Sequence, residues 1–378
     1  MSGTAPSGAP RARGASSARP VNARVGAALL AAGGLLAALP LLGIREDHLN
    51  LAVLVLLAVV LAQSWNILGG YAGQVNLGHA AFFGLGALVT RTLWIAGTPV
   101  GAAMAAGAVV AVAAALAVGA LAFRLRGAYF AIGTLALGEI LRLTVGNVLP
   151  EISTLPAPAI AGYRLAHRYW IALGLATVAV GVVAALRGSR LGLGMQAVRE
   201  DEDAAEASGV AALRVKLCAL ALSTALAGLA GGLFAYYHIS YYPAHPFSPH
   251  WTFDALLITF IGGVGTVAGP IAGAVVYVLL KEFLALRWVE FHLLIFGALF
   301  VAIVLVLPGG LVEAAARVTA LGRRGSAGRA AAAPRHPAAT ASAPSPGPAR
   351  APLEASVERS RSRGRLREAS REPAGPEG

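Results

Sequence analysis

Apolar runs of about 20 residues recur along this chain, separated by short polar breaks. They fall at 25–44, 49–69, 75–97, 99–123, 127–149 and 169–187, and again at 213–238. A run of about 20 apolar residues is long enough to cross a bilayer as a helix. The apolar region 251–308 is too long for one such helix. Gly262, Gly263, Gly265, Gly269 and Pro270 break it once, and the polar patch Lys281–Glu290 breaks it again. It therefore divides into 251–263, 268–284 and 288–308. The pattern predicts an all-α polytopic membrane protein of about ten segments.

Three stretches stand outside that pattern. Residues 1–24 read as a basic N-terminal tail, with Arg11, Arg13, Arg19 and Arg24 and no acid. A retained first span is expected after it, since no small-residue cleavage site follows the run 25–44. Residues 311–378 are rich in Ala, Pro, Ser and Arg with no apolar period. They are expected to form a solvated tail, because such composition cannot offset its own ordering entropy. The third stretch, 188–212, interrupts the membrane domain 25–310. Ten ionised residues lie between Arg187 and Lys216. Arg190 to Gly194 reads as a glycine-rich turn. Met195 to Ala207 reads as a short helix, with Met195, Val198, Glu202 and Ala205 on one face. A helix this short is marginal alone in water and needs a surface to pack against.

Composition agrees with the span pattern. The chain is 57% hydrophobic and 13% charged, whereas a soluble domain carries about 25% charged residues. Mean hydropathy is +0.69. The net charge of +12 would suggest nucleic acid if it covered a folded face, but it sits in the tails and loops, so no nucleic-acid partner is expected. With ten segments and a cytoplasmic N-terminus, 23 of the 30 basic residues lie on the cytoplasmic side. This fits the positive-inside rule and puts both termini and the 188–212 loop in the cytoplasm. A single cysteine, Cys218, excludes an internal disulfide framework. Lys216 and Lys281 are the only lysines, and neither follows a glycine-rich loop. A phosphate-cradling loop needs that lysine, so the chain is not expected to be an enzyme that hydrolyses nucleotide.

Candidate chemistry is concentrated in a few words. In the stretch 66–86, Asn66, Gln74, Asn76 and His79 are interleaved with six glycines. Interrupted backbone at membrane depth is tolerated only when buried in protein or lining a wet cavity. The stretch therefore reads as pathway lining or a re-entrant segment; taken singly, the same residues also fit hydrogen bonds that tie helices together. Tyr129 and Thr134 are weaker pathway candidates. Glu139 and Arg142, three apart, read as an intramembrane ion pair on one helix face. Gly228 and Gly232, and the ladder Gly265, Gly269 and Gly273, have the four-residue spacing that lets helices meet closely. Three histidines in 236–250 match no zinc signature, so neither metal nor other cofactor is expected.

Taken together, the words WNILGGYAGQVNLGHAAFFGLGA (65–87), RLRGAYFAIGTLALGEILRL (124–143), RLGLGMQAVREDEDAAEASGV (190–210), LSTALAGLAGGLFA (222–235) and FIGGVGTVAGPIAGA (260–274) resemble the longer permease subunit of the branched-chain amino-acid ABC transporters. The resemblance covers about residues 45–310. It implies a fold like that of the cobalamin-type importers, in a bacterial inner membrane. It implies a second homologous permease subunit, two cytoplasmic ATP-binding subunits and a periplasmic or extracellular substrate-binding protein. It further implies that the coupling region to an ATPase includes Met195, Arg199, Glu200, Asp201, Ala204, Ala205, Glu206 and Gly209. One word departs: where the family carries a Thr-Gly-Gly word in the loop after the fifth span, this chain reads PEISTLPAPAIAGYRLAH. Branched-chain or related amino acids are the expected cargo, with urea, short amides or aromatic acids as alternatives in the same architecture. A self-contained secondary transporter or channel is the alternative of another class. It would require inverted internal repeats, and no clear repeat is found.

Overall fold

The computed structural model describes residues 45–287 continuously, with 33–34, 36–43, 297–298, 301 and 309–314. The tail expected at 1–24, half of the span expected at 25–44, most of that expected at 288–308 and all but 311–314 of the tail expected at 311–378 lie outside the described residues; 311–314 are helical rather than tail-like. The long helices are α1 (Glu46–Trp65), α2 (His79–Ile95), α3 (Val100–Ala122), α4 (Ala128–Val148), α6 (Leu165–Arg187), α9 (Ala212–Tyr237), α10 (Pro249–Gly262) and α11 (Gly269–Arg287). Short helices α5 (Ala157–Ala161), α7 (Arg190–Glu200) and α8 (Glu202–Ala207) connect them. Five of the described helical segments are long and apolar enough to cross a membrane: Glu46–Tyr71, α3, α4, α6 and α9. One departure from an all-α chain is an antiparallel pair, β1 (Ser153–Thr154) with β2 (Ser240–Tyr241), in register Ser153 to Tyr241.

The long helices alternate in direction between two ends of the bundle. One end carries Arg126, Arg187 and Arg199 and is called the basic end. The other carries Tyr163, Tyr236 and Tyr241 and is called the tyrosine end. Helices α2, α3 and α9 pack as a trio, and small residues set how closely they meet. A Cβ at Gly231 would fall 1.9 Å from the Phe83 carbonyl oxygen, and one at Gly86 would fall 2.1 Å from that of Gly228. Gly228 and Gly232 face Ala108 and Met104 of α3. Apolar side chains gain little by leaving lipid for one another, so this close packing, not hydrophobic transfer, is what holds such helices together. Gly273 packs against the Ile258 carbonyl and Gly269 against Gly263. The three-rung ladder is corrected at Gly265, which lies in the turn before α11 with a left-handed φ of 73°.

Several boundaries differ from the sequence reading: α1 begins at Glu46 rather than 49, α6 begins at Leu165 rather than 169, and two further shifts bear on the site. Helix α1 does not stop at 69 but continues through Asn66–Tyr71 as a wider, π-helical coil. The third span starts at His79 rather than 75, because Gly73–Gly78 is non-helical. Gly69 explains the first difference locally: the Trp65 ring lies where a Cβ at 69 would stand, 2.5 Å away.

Candidate functional site

The charged interruption between α6 and α9 is two helices, not a turn and one helix. Ser189 caps α7 by accepting from the Gly192 amide at 3.0 Å, so Arg190–Gly194 is helical despite its glycines. Asp201 then adopts an extended backbone and caps α8, accepting from the Ala204 amide at 3.0 Å. Side-chain capping of this kind satisfies amides that a helix start leaves without partners. The hairpin is fastened inward: Met195 is fully buried, and Val198, Ala205 and Ala212 form a small apolar cluster. Lys216, itself buried, pairs with Glu202, and Arg126 reaches Asp203 at 3.3 Å. Ala205 and Met195 are therefore packing residues. Leu193, Glu200, Asp201, Ala204, Glu206 and Gly209 are exposed.

Arg199 is exposed as well, and its side chain leaves this hairpin to reach the basic end of the bundle. Its Nη1 donates to the Gly70 carbonyl, which belongs to the π-helical end of α1. Two glycines with left-handed backbones make room for it. A Cβ at Gly73 (φ 70°) would stand 2.9 Å from Arg199 Cγ, and a Cβ at Gly265 (φ 73°) 2.9 Å from Nη1. Beside the contact lies a cleft of about 510 Å³ lined by Tyr71, Arg187, Gln196, Glu200 and Gly265, among others. Sequence reasoning placed Arg199 in the hairpin but assigned it to a partner. The structure turns its guanidinium toward its own bundle.

The polar residues of 66–79 lie at the same junction. Asn66 clamps the turn before α11: its Nδ2 donates to the Thr266 carbonyl at 2.9 Å and its Oδ1 accepts from the Gly265 amide at 2.8 Å. The non-helical run that follows keeps its polar groups paired, as buried backbone must. Trp65 Nε1 donates to the Asn76 carbonyl, Asn76 Oδ1 accepts from the Gly78 amide, and Thr134 Oγ1 accepts from the Leu77 amide. Gly78 presses on the Thr134 backbone, which fixes α4 against the run. His79 is fully buried and meets Ser64 Oγ at 2.7 Å through Nε2. Ser64 gives its proton to the Leu61 carbonyl at 2.6 Å. The histidine must therefore be the donor, leaving Nδ1 as an acceptor with no partner. Gln63 Oε1 and Tyr71 Oη are likewise buried without partners. Asn66, Asn76, His79 and Thr134 thus form a packed polar seam. Gln74 is half-buried and, among the described residues, its side chain bonds only the Ala72 carbonyl, while Tyr129 is 76% exposed, so neither side chain joins it.

Helix α4 touches the rest of the bundle along a narrow stripe, Phe130, Thr134 and Gly138. Glu139 and Arg142 form a two-bond ion pair, Nε to Oε2 at 2.9 Å and Nη2 to Oε1 at 2.6 Å. Each is more than a third exposed.

Sequence reasoning assigned no role to Arg91. All five of its N–H donors are used: Nε on Ser153 Oγ, Nη1 on the Ala235 and His238 carbonyls, and Nη2 on those of Ser153 and Ile239. It thereby ties β1, β2 and the end of α9 to α2. Burial pushes the neighbouring Tyr241 phenol up to about 12, against the opposing effect of Arg91. An arginine inside an apolar run was the available signal, since such a charge must find partners.

Comparison with known proteins agrees on one family. The family described as "Branched-chain amino acid transport system / permease component" matches residues 48–304. The chain is 28% identical over 309 residues to the high-affinity branched-chain amino acid transport system permease protein LivM of Escherichia coli K12, covering 71% of each chain. The Salmonella typhimurium protein of the same name matches over 302 residues at the same identity and coverage. A probable branched-chain amino acid transport permease protein LivM of Methanocaldococcus jannaschii is 25% identical over 158 residues, 38% of this chain and 45% of that protein. No solved structure gives a significant match.

Proposed function

We propose, from the premise that this chain belongs to the branched-chain amino acid transport permease family, that it is the membrane-spanning subunit of an ATP-driven importer for branched-chain or related amino acids. The observation that carries the mechanism is the contact of Arg199 with Gly70. It joins a polar helical hairpin to the place where, among the described residues, a long apolar helix is wound as a π-helix. On this reading the basic end faces the cytoplasm, in keeping with the positive-inside rule, and the exposed side of α7–α8 seats on an ATPase subunit. When that subunit moves, Arg199 carries the displacement to the π-helical turn, and Asn66 passes it to the turn before α11. Helical segments of this kind recur at functional sites.

The uncovered face of α4 supports a second permease subunit as neighbour. A carboxylate and a guanidinium in mid-helix are costly against lipid and are expected to face protein or a wet cavity. The substrate path then lies along α4 between two subunits, with the seam at Asn66–His79 as its packed wall. A binding protein at the tyrosine end delivers cargo and sets much of the selectivity, so urea, short amides and aromatic acids remain cargo alternatives.

Uptake of labelled leucine into vesicles tests this reading. Vesicles holding the chain with a second permease, ATPases and binding protein should accumulate leucine only with ATP. Accumulation by the chain alone, driven by an ion gradient, would make it a self-contained transporter instead.

A further inference from the structure

Two arginines are buried at the tyrosine end, and their surroundings differ. Arg91 has every donor filled by the protein itself. Arg168, 1% exposed, has two hydrogen bonds: Nε to the Tyr236 carbonyl at 3.0 Å and Nη1 to the Arg164 carbonyl at 3.3 Å. Its Nη2 makes none. The rings of Tyr163 and Tyr236 cover its two faces, with Cζ 3.6 and 4.3 Å from the ring centres. No acid pairs with it among the described residues; Glu46 lies near enough to act on the Tyr163 hydroxyl but forms no ion pair with Arg168. A buried guanidinium with open donors and no counter-ion is expensive. An anion brought from outside would remove that cost.

The space for one is present. Arg168 lines a cleft of about 400 Å³ together with Trp94, Thr98, Pro99, Ala159 and Tyr236. That volume lies within the range of small-ligand sites, about 300–1,000 Å³. Guanidinium geometry suits phosphate, which accepts paired parallel hydrogen bonds. Ile95 and Ile160, next in sequence to the lining residues Trp94 and Ala159, and Trp170, two residues beyond Arg168, are exposed apolar side chains. A soluble anion has no use for them, whereas acyl chains do. Aromatic walls near a helix end also mark the depth of lipid head groups, and basic pockets between membrane helices bind such groups.

We propose that this cleft seats the phosphate of a phospholipid head group on Arg168, with the acyl chains lying over Ile95 and Ile160. The bound lipid would fasten the α2–α3 turn to α5 and α6.

Native mass spectrometry of the full-length protein in detergent tests the proposal, with phosphatidylglycerol as the probe. The wild type should retain one tightly held lipid that Arg168→Gln loses. Ala159→Trp fills the cleft while leaving Arg168 in place, and it should lose the lipid as well, so the result does not depend on how Arg168→Gln folds. Diacylglycerol, which lacks the phosphate, and inorganic phosphate, which lacks the chains, should each fail to compete. Equal lipid retention by wild type and both variants would overturn the assignment. Full competition by inorganic phosphate would overturn the lipid in favour of a small anion. Displacement of the lipid only by the substrate-binding protein would show that the cleft is a protein-docking surface and would overturn it too.

Discussion

The Arg199 side chain crosses from a polar hairpin to the Gly70 carbonyl, a residue 129 positions earlier in sequence, and passes between Gly73 and Gly265 to do so. A hydrogen bond from a charged donor contributes about 1.5–3 kcal/mol. Here it adds a directional bond where the hairpin packs on the π-helical end of α1, so it can transmit movement as well as hold position.

The two glycines beside Arg199 should be intolerant of substitution. Gly73→Ala and Gly265→Ala each place a methyl 2.9 Å from the arginine side chain on a left-handed backbone. The backbone alone costs an L-residue roughly 1–2 kcal/mol. Both variants should reach the membrane, melt at lower temperature than wild type and transport poorly. A melting curve and an uptake rate equal to wild type would show that the passage has slack.

Exposed and buried positions of the hairpin should behave differently. Leu193→Glu and Ala204→Asp change outward-facing residues, and both variants should purify as folded permease without its ATPase subunits. Ala205→Asp instead puts a charge into the cluster with Val198 and Ala212 and should lower the yield of folded protein itself. Co-purification with the ATPase subunits separates the two outcomes. Retention of those subunits by Leu193→Glu would move the docking face elsewhere.

Glu139 and Arg142 should be replaceable together but not singly. Glu139→Gln leaves the Arg142 guanidinium without its partner in mid-helix, and removing one member of a pair in a low-dielectric setting costs more than removing both. Glu139→Gln should therefore express less well than Glu139→Gln with Arg142→Gln. If the double substitution is the worse of the two, the pair is not compensating a charge.

Close helix packing sets a fourth expectation. Gly231→Ala would press a methyl to 1.9 Å from the Phe83 carbonyl, and overpacking of this kind costs about 1–3 kcal/mol. The purified variant should lose thermal stability in detergent. Gly174→Ala, which meets nothing within 4 Å, should melt like wild type.

Much of the helix layout was legible because apolar length and glycine breaks are one-dimensional signals. The spans at 99–123 and 127–149 match α3 and α4 to within a residue or two, and charge density alone marked the hairpin. What stayed hidden depends on partners distant in sequence. Nothing in the word around Arg199 reveals that its guanidinium turns inward, since that follows from room left by Gly73 and Gly265. The split of the hairpin at Asp201 could have been read from its capping side chain, but the four successive acids 200–203 disguise it. Arg91 lies within an apolar run and Arg168 at the start of one, and only coordinates show one saturated and the other open. The polar seam was half visible: Asn66, Asn76 and His79 stood out among glycines, while Gln63 and Ser64, one turn earlier, were masked by the apolar run around them.

The most direct test of the coupling role is Arg199→Ala in vesicles containing the ATPase subunits and binding protein, with leucine uptake and ATP hydrolysis measured on the same preparation. Loss of about 1.5–3 kcal/mol from the contact, at 1.4 kcal/mol per decade, corresponds to roughly a ten- to hundredfold effect. The variant should still assemble and hydrolyse ATP, while leucine taken up per ATP falls by that factor. Wild-type uptake per ATP in the assembled variant would contradict the claim that Arg199 carries the motion into the bundle.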